Sequence, residues 1–164
     1  MSRRRGSDAA YDEQYPLVLA EGAAPPVYLN SPGNLPQYGF GWALLRPDLI
    51  KHFQLKKSTD LEAVLTDAAN ALAEKSTASG VDKQLPYTSD IGKQILDHAS
   101  TPFFDHGLLF VLRNTSAKAI QDSQNQDVIE KLKAMTDGLG RPRWYRIAPR
   151  SMVAQNKVAV CTVP

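Results

Sequence analysis

The sequence predicts an α+β domain in which about three helices pack on a mainly antiparallel sheet of about five strands. Three observations predict it. Helical and strand-like segments follow one another without the regular alternation that builds a doubly wound parallel sheet. Leu108, Leu109, Phe110, Val111 and Leu112 form a continuous apolar run of strand length, as expected for a strand buried on both faces. Two stretches, 61–75 and 126–136, carry apolar residues at helical spacing. With 164 residues, 43% hydrophobic and 22% charged, the chain has the make-up of one globular domain that needs no disulfide or metal to fold.

Residues 1–15 hold charge and few apolar side chains and are expected to be a flexible, basic-tipped tail, with the domain spanning 16–164. From Tyr15 to Gly41 the chain is dense in proline and glycine, which leaves room only for short strands at 17–19 and 27–29. Residues 38–45 then read as a stronger strand, with Phe40, Trp42 and Leu44 alternating against small residues. Arg46-Pro47-Asp48 suits a helix start, because proline at the first helical position gives up a donor that has no partner there. That short helix ends near Phe53. Thr59 and Glu62 have the spacing of a capping box ahead of the helix over 61–75. A second long helix is expected after Ser89, with Ile91, Ile95 and Leu96 on one face and Gly92 weakening it. The strand at 107–113 follows, then a helix over 126–136 that stops at Gly138. Strands at 143–148 and 157–163 close the domain.

Charge is unevenly placed. The formal total is +2, yet residues 6–137 carry 11 bases and 17 acids, a net of −6. Beyond Asp137 there is no acid, while Arg141, Arg143, Arg146, Arg150 and Lys157 supply five positive charges, and Arg3, Arg4 and Arg5 supply three more at the N-terminus. The single cysteine, Cys161, excludes an internal disulfide framework and any multi-thiolate metal site, and in an apolar segment it reads as a buried thiol. No apolar run approaches the length of a membrane span, and acids near the N-terminus argue against signal and transit peptides. A cytoplasmic or nuclear protein without a membrane partner is expected. Arg4-Arg5-Gly6-Ser7 fits a basophilic kinase site, whereas Asn114-Thr115-Ser116 reads as a chance glycosylation pattern.

The functional signal is the segment from Arg141 to Arg150. On a strand, Arg141, Arg143, Tyr145 and Ile147 share one face, with Trp144, Arg146, Ala148 and Arg150 on the other. Arginines beside aromatic rings bind anions through two parallel bonds and stack on planar groups. Arg141, Arg143, Trp144, Tyr145, Arg146 and Arg150 are therefore the candidate ligand-binding set. The competing reading buries the aromatics and pairs the arginines with the acidic body. With arginine on both faces, this strand is expected to lie at a sheet edge or to run out of the sheet. The leading function is a non-enzymatic module that binds a phosphorylated ligand or an acidic protein surface, with no cofactor or metal. Nucleic acid is possible but not favoured, because +2 falls short of the basic excess such domains carry and no nucleic-acid motif is present.

Two alternatives stand beside it. Asp105 and His106, just ahead of the buried strand, form the one acid–base pair suited to a small hydrolase or transferase, the arginines clamping its anionic substrate. Ser100 or Thr101 would be the nucleophile. The His98–His106 spacing fits no metal site, and His52 reads as a partner for its own helix's C-terminal dipole. The glycines from Gly33 to Gly41 match no phosphate loop; Gly39 and Gly41 between Tyr38, Phe40 and Trp42 suggest close strand packing. The second alternative is a homo-oligomer in which the acidic body meets the basic edge.

Overall fold

A computed structural model describes residues 13–28, 36–96 and 105–147. They form an α+β fold around one four-stranded sheet: β1 (Gln37–Leu45), β2 (Gly92–Ile95), β3 (His106–Arg113) and β4 (Arg143–Ile147). The order across the sheet is β2-β3-β1-β4, and every neighbouring pair is antiparallel. Five helices accompany it: α1 (Arg46–Phe53), α2 (Leu61–Ser79), α3 (Val81–Gln84), α4 (Ala117–Ser123) and α5 (Gln126–Thr136). The counts differ slightly from the expected five strands and three helices. The fifth expected strand, at 157–163, lies outside the described residues.

The helices pack on one face. Tyr38, Phe40 and Trp42 of β1, Leu109, Val111 and Leu112 of β3 and Trp144 of β4 meet Leu49, Leu65, Leu72, Val128 and Leu132 from the helices in the main core. Leu96, Leu108, Phe110 and Ile147 form a smaller cluster on the opposite side, with Ala43 and Tyr145 against it. β3 is thus apolar on both faces, as its unbroken run implies. A bulge lets three of its side chains reach the main core: Phe40 pairs with Leu112 but Gly41 with Phe110, so Val111 is an extra residue.

Several expectations are corrected. No helix follows Ser89; a 3-10 turn at Pro86–Ser89 leads into β2, which pairs with β3 from Gly92 opposite Phe110. Four residues are too few for their spacing to show a helix or a strand, and pairing with the apolar β3 decides it. The cap of α2 is Asp60, not Thr59: its Oδ1 accepts the Glu62 N–H at 3.1 Å. That helix runs one turn past Lys75 to Gly80, whose φ of +80° ends it. Asp60→Ala is expected to cost about 1 kcal/mol, read as a lower urea midpoint; an unchanged midpoint would assign the cap elsewhere. α4 was not foreseen; Ser116 caps it through the Ala119 N–H. At the end of α5 it is Asp137, at φ +52°, that turns the chain, with Gly138 following.

Among the described residues, 17–19 and 27–28 form no strand: Val18 makes a lone bridge with Tyr145, and the Tyr28 N–H donates to the Asn114 carbonyl. Asn114 is fully buried. Its Oδ1 accepts the Tyr38 N–H at 2.7 Å and its Nδ2 donates to the Pro26 carbonyl at 2.9 Å, so its amide holds the preceding loop and is not presented as a glycan acceptor. No helix among the described residues is long and apolar enough to cross a membrane. Ser7, His98, Ser100, Thr101, Arg150 and Cys161 lie outside the described residues.

Candidate functional site

β4 is the edge strand of the sheet, which decides between the two placements expected from arginine on both of its faces. Its residues part company. Trp144 is core: it is 1% exposed, its ring lies 5.1 Å from that of Phe40, and its Nε1 donates to Ser123 Oγ at 3.1 Å. Arg143 and Arg146 turn to the outer edge, where residues 15–19 run antiparallel to β4 as a strap. Arg143 donates through Nε and Nη2 to the Leu19 carbonyl at 3.0 and 2.7 Å. Arg146, buried, donates through Nη1 to the Tyr15 carbonyl at 2.6 Å. Arg141 reaches the turn beyond the strap, where a Cβ on Gly22 would lie 4.0 Å from its Nη2. Arg141 and Arg143 thus make no ion pair with the acidic body. The ion pairs among the described residues involve Arg46, Lys75, Lys118 and Lys133 instead.

Pairing between β1 and β4 ends at Gly41 opposite Arg143, while β1 continues to Leu45. The chain before β4 therefore splays from β1 and opens a cleft of about 490 Å³, closed on its other side by α1. Arg141 and Tyr145 line it with Lys51, His52 and a single acid, Asp48. Neither Lys51 nor Arg141 has an acid within ion-pair distance among the described residues. The His52 ring is fixed, with Nε2 donating to the Thr136 carbonyl at 2.8 Å and its face edge-on to Phe53. It stands in the last turn of its own helix, as expected, and also serves the C-terminus of α5. Burial raises the Tyr145 phenol above its usual range, against the smaller opposing pull of Arg143 and of a hydrogen bond with the Ala43 backbone. It stays protonated at neutral pH and keeps an O–H on the cleft wall. Trp42 fixes the loop over the cleft by donating from Nε1 to the Gly140 carbonyl at 3.0 Å.

Asp105 and His106 are not part of this arrangement. Asp105 immediately precedes β3 and His106 begins it, on the far side of β1 from β4. The Asp105 carboxylate lies 3.6 Å from Arg46 Nε, and its carbonyl accepts the Arg46 N–H at 3.1 Å. The structure therefore brings neither residue to the cleft nor to Arg143 and Arg146. No cluster of three metal-ligating side chains occurs among the described residues.

Sequence reasoning missed Lys51 and His52 as site residues, since both stand about ninety positions from Arg141 with no local mark of the meeting. It also missed a larger cavity, about 760 Å³, between the 3-10 turn, β3 and α4, walled by Tyr87, Asp90, Phe110, Arg113 and Asp122. There the Tyr87 hydroxyl is buried without a hydrogen-bond partner, and burial together with Asp122 pushes its pKa up to about 12. Compared with family models, curated proteins and solved structures, the chain matches none of them.

Proposed function

We propose that this protein is a non-enzymatic binding module that takes an anionic group in the cleft between α1 and the loop leading into β4. The observation that carries this reading is the convergence of Lys51, His52, Arg141 and Tyr145 on one cavity beside the single acid Asp48, with neither Lys51 nor Arg141 in an ion pair among the described residues. An uncompensated cation in a concavity raises the local concentration of anions and binds them through charge-assisted bonds. Arginine supplies a planar fork and lysine a point charge, a combination suited to a phosphate or carboxylate. A nucleic-acid backbone is the weaker candidate. It would need a continuous basic stripe, and Arg143 is spent on a backbone carbonyl of the strap.

The test is titration with inorganic pyrophosphate and phenyl phosphate, followed by backbone NMR shifts. Wild type should bind saturably, with affinity falling as salt rises. Lys51→Ala combined with Arg141→Ala should weaken binding at least about tenfold, given the strength of bonds to charged groups, while Arg143→Ala should leave it nearly unchanged. Equal affinity in the double variant, or an absence of binding by wild type, sinks the proposal. A loss in Arg143→Ala as large as in the double variant would move the anion to the β4 edge and overturn the cleft.

A further inference from the structure

The strap is held by its main chain. The Leu19 N–H donates to the Trp144 carbonyl at 3.0 Å, and the Arg146 N–H donates to the Leu17 carbonyl at 2.8 Å. Around these two main-chain bonds, three side chains of the sheet reach for strap carbonyls: Arg143 to Leu19, Arg146 to Tyr15, and the Tyr38 hydroxyl to Pro16 at 2.6 Å. The strap contributes only backbone atoms to these bonds. Four of its side chains are half-buried, and of these Tyr15 and Leu19 pack against the main core. These are the first and fifth positions of an extended five-residue segment. Nothing in the bonds reads the three side chains between them.

The geometry points to the outer edge of β4 as a peptide groove that reads extended main chain and is filled here by the protein's own residues 15–19. Its partner is a segment of another chain with an aromatic or aliphatic side chain at positions one and five, which adds to β4 in place of the strap. Edge strands accept such additions because their N–H and C=O groups are a ready template. Donors fixed on the sheet extend that template beyond the ladder, and they address carbonyls, which every peptide has. The strap meets β4 at a single bridge, Val18 with Tyr145, so displacing it breaks no long ladder. Just beyond, the chain leaves in an exposed turn at Glu21-Gly22, with Gly22 at φ +85°. Tethering makes the strap a competitor at its own groove. Through so short a tether its effective concentration is at least in the millimolar range.

The experiment uses the full chain with a protease recognition sequence inserted between Glu21 and Gly22, outside the strap's bonds. A fluorescein-labelled peptide of residues 13–21 is titrated before and after cleavage, with anisotropy as the readout and far-UV circular dichroism confirming that the cut chain keeps its fold. Cleavage releases the tether, so the apparent affinity should rise about a hundredfold. A peptide N-methylated at Leu19, which cannot donate to the Trp144 carbonyl, should bind at least about tenfold more weakly, as loss of one buried hydrogen bond implies. Arg143→Ala should weaken the parent peptide similarly. A peptide with alanine at Val18 should bind like the parent. Failure of a folded, cut chain to bind the peptide overturns the proposal. So does an N-methylated peptide that binds as well as the parent, because recognition would then not run through the main chain.

Discussion

Gly41→Ala is expected to disrupt the sheet at its centre. An ideal Cβ at this position would lie 1.8 Å from the Leu109 carbonyl oxygen and 2.6 Å from the Phe110 Cα. Both are backbone atoms of β3, so no rotamer change relieves the overlap. β1 and β3 would have to separate beside the bulge at Val111, in a strand paired on its other edge with β4. Ordinary overpacking costs about 1–3 kcal/mol, and a clash with backbone in a central strand exceeds it, at roughly 4 kcal/mol or more. Because domains are stable by only about 5–15 kcal/mol, much of the folded population is at stake. Urea unfolding followed by circular dichroism should show a midpoint far below wild type or no cooperative transition. A midpoint near wild type would show that the strands do not approach this closely.

Trp144→Ala is expected to destabilise the fold by about 3–5 kcal/mol, the usual cost of removing a large buried ring. The change empties the space beneath the helices, loses the contact with Phe40 and leaves Ser123 Oγ without the indole donor. For a chain of this size that corresponds to a melting temperature lower by about 6–20 °C. Arg143→Ala, one residue away, should leave the melting temperature far closer to wild type, since it loses bonds to the strap alone. Comparable losses in the two variants would contradict the division of β4 into a core aromatic and edge arginines. The sequence placed Trp144 among candidate ligand-binding residues; its burial makes it a support for that edge.

Legibility followed the range of the interactions. α2 and α5 were readable because helical spacing of Val64, Leu65, Ala68 and Leu72, or of Val128, Ile129, Leu132 and Met135, records burial of one face. β3 was readable because a strand covered on both faces needs no polar residue. β2 was not, since a four-residue segment has no period and owes its form to pairing with β3. α4 was not, being seven residues with little apolar signal ahead of Ile120. At the site, arginines crowded beside aromatics could be noticed in one dimension, but what they touch could not. Leu19 and Tyr15 receive them through carbonyl oxygens, which every residue has and no sequence marks. Lys51 meets Arg141 only because β1 outruns its pairing with β4 and α1 folds back over the gap.

Composition and local spacing suffice for the α+β class, most of the long elements and the segregation of positive charge toward the C-terminus. These are properties of composition and of local period, set by which side chains must leave water. Tertiary structure alone decided what that charge faces. Arg143 and Arg146 hold the protein's own strap, and Arg141 shares a cleft with Lys51, His52 and the single acid Asp48. That division depends on strand register and on where pairing stops, which arise from contacts between residues far apart in the chain.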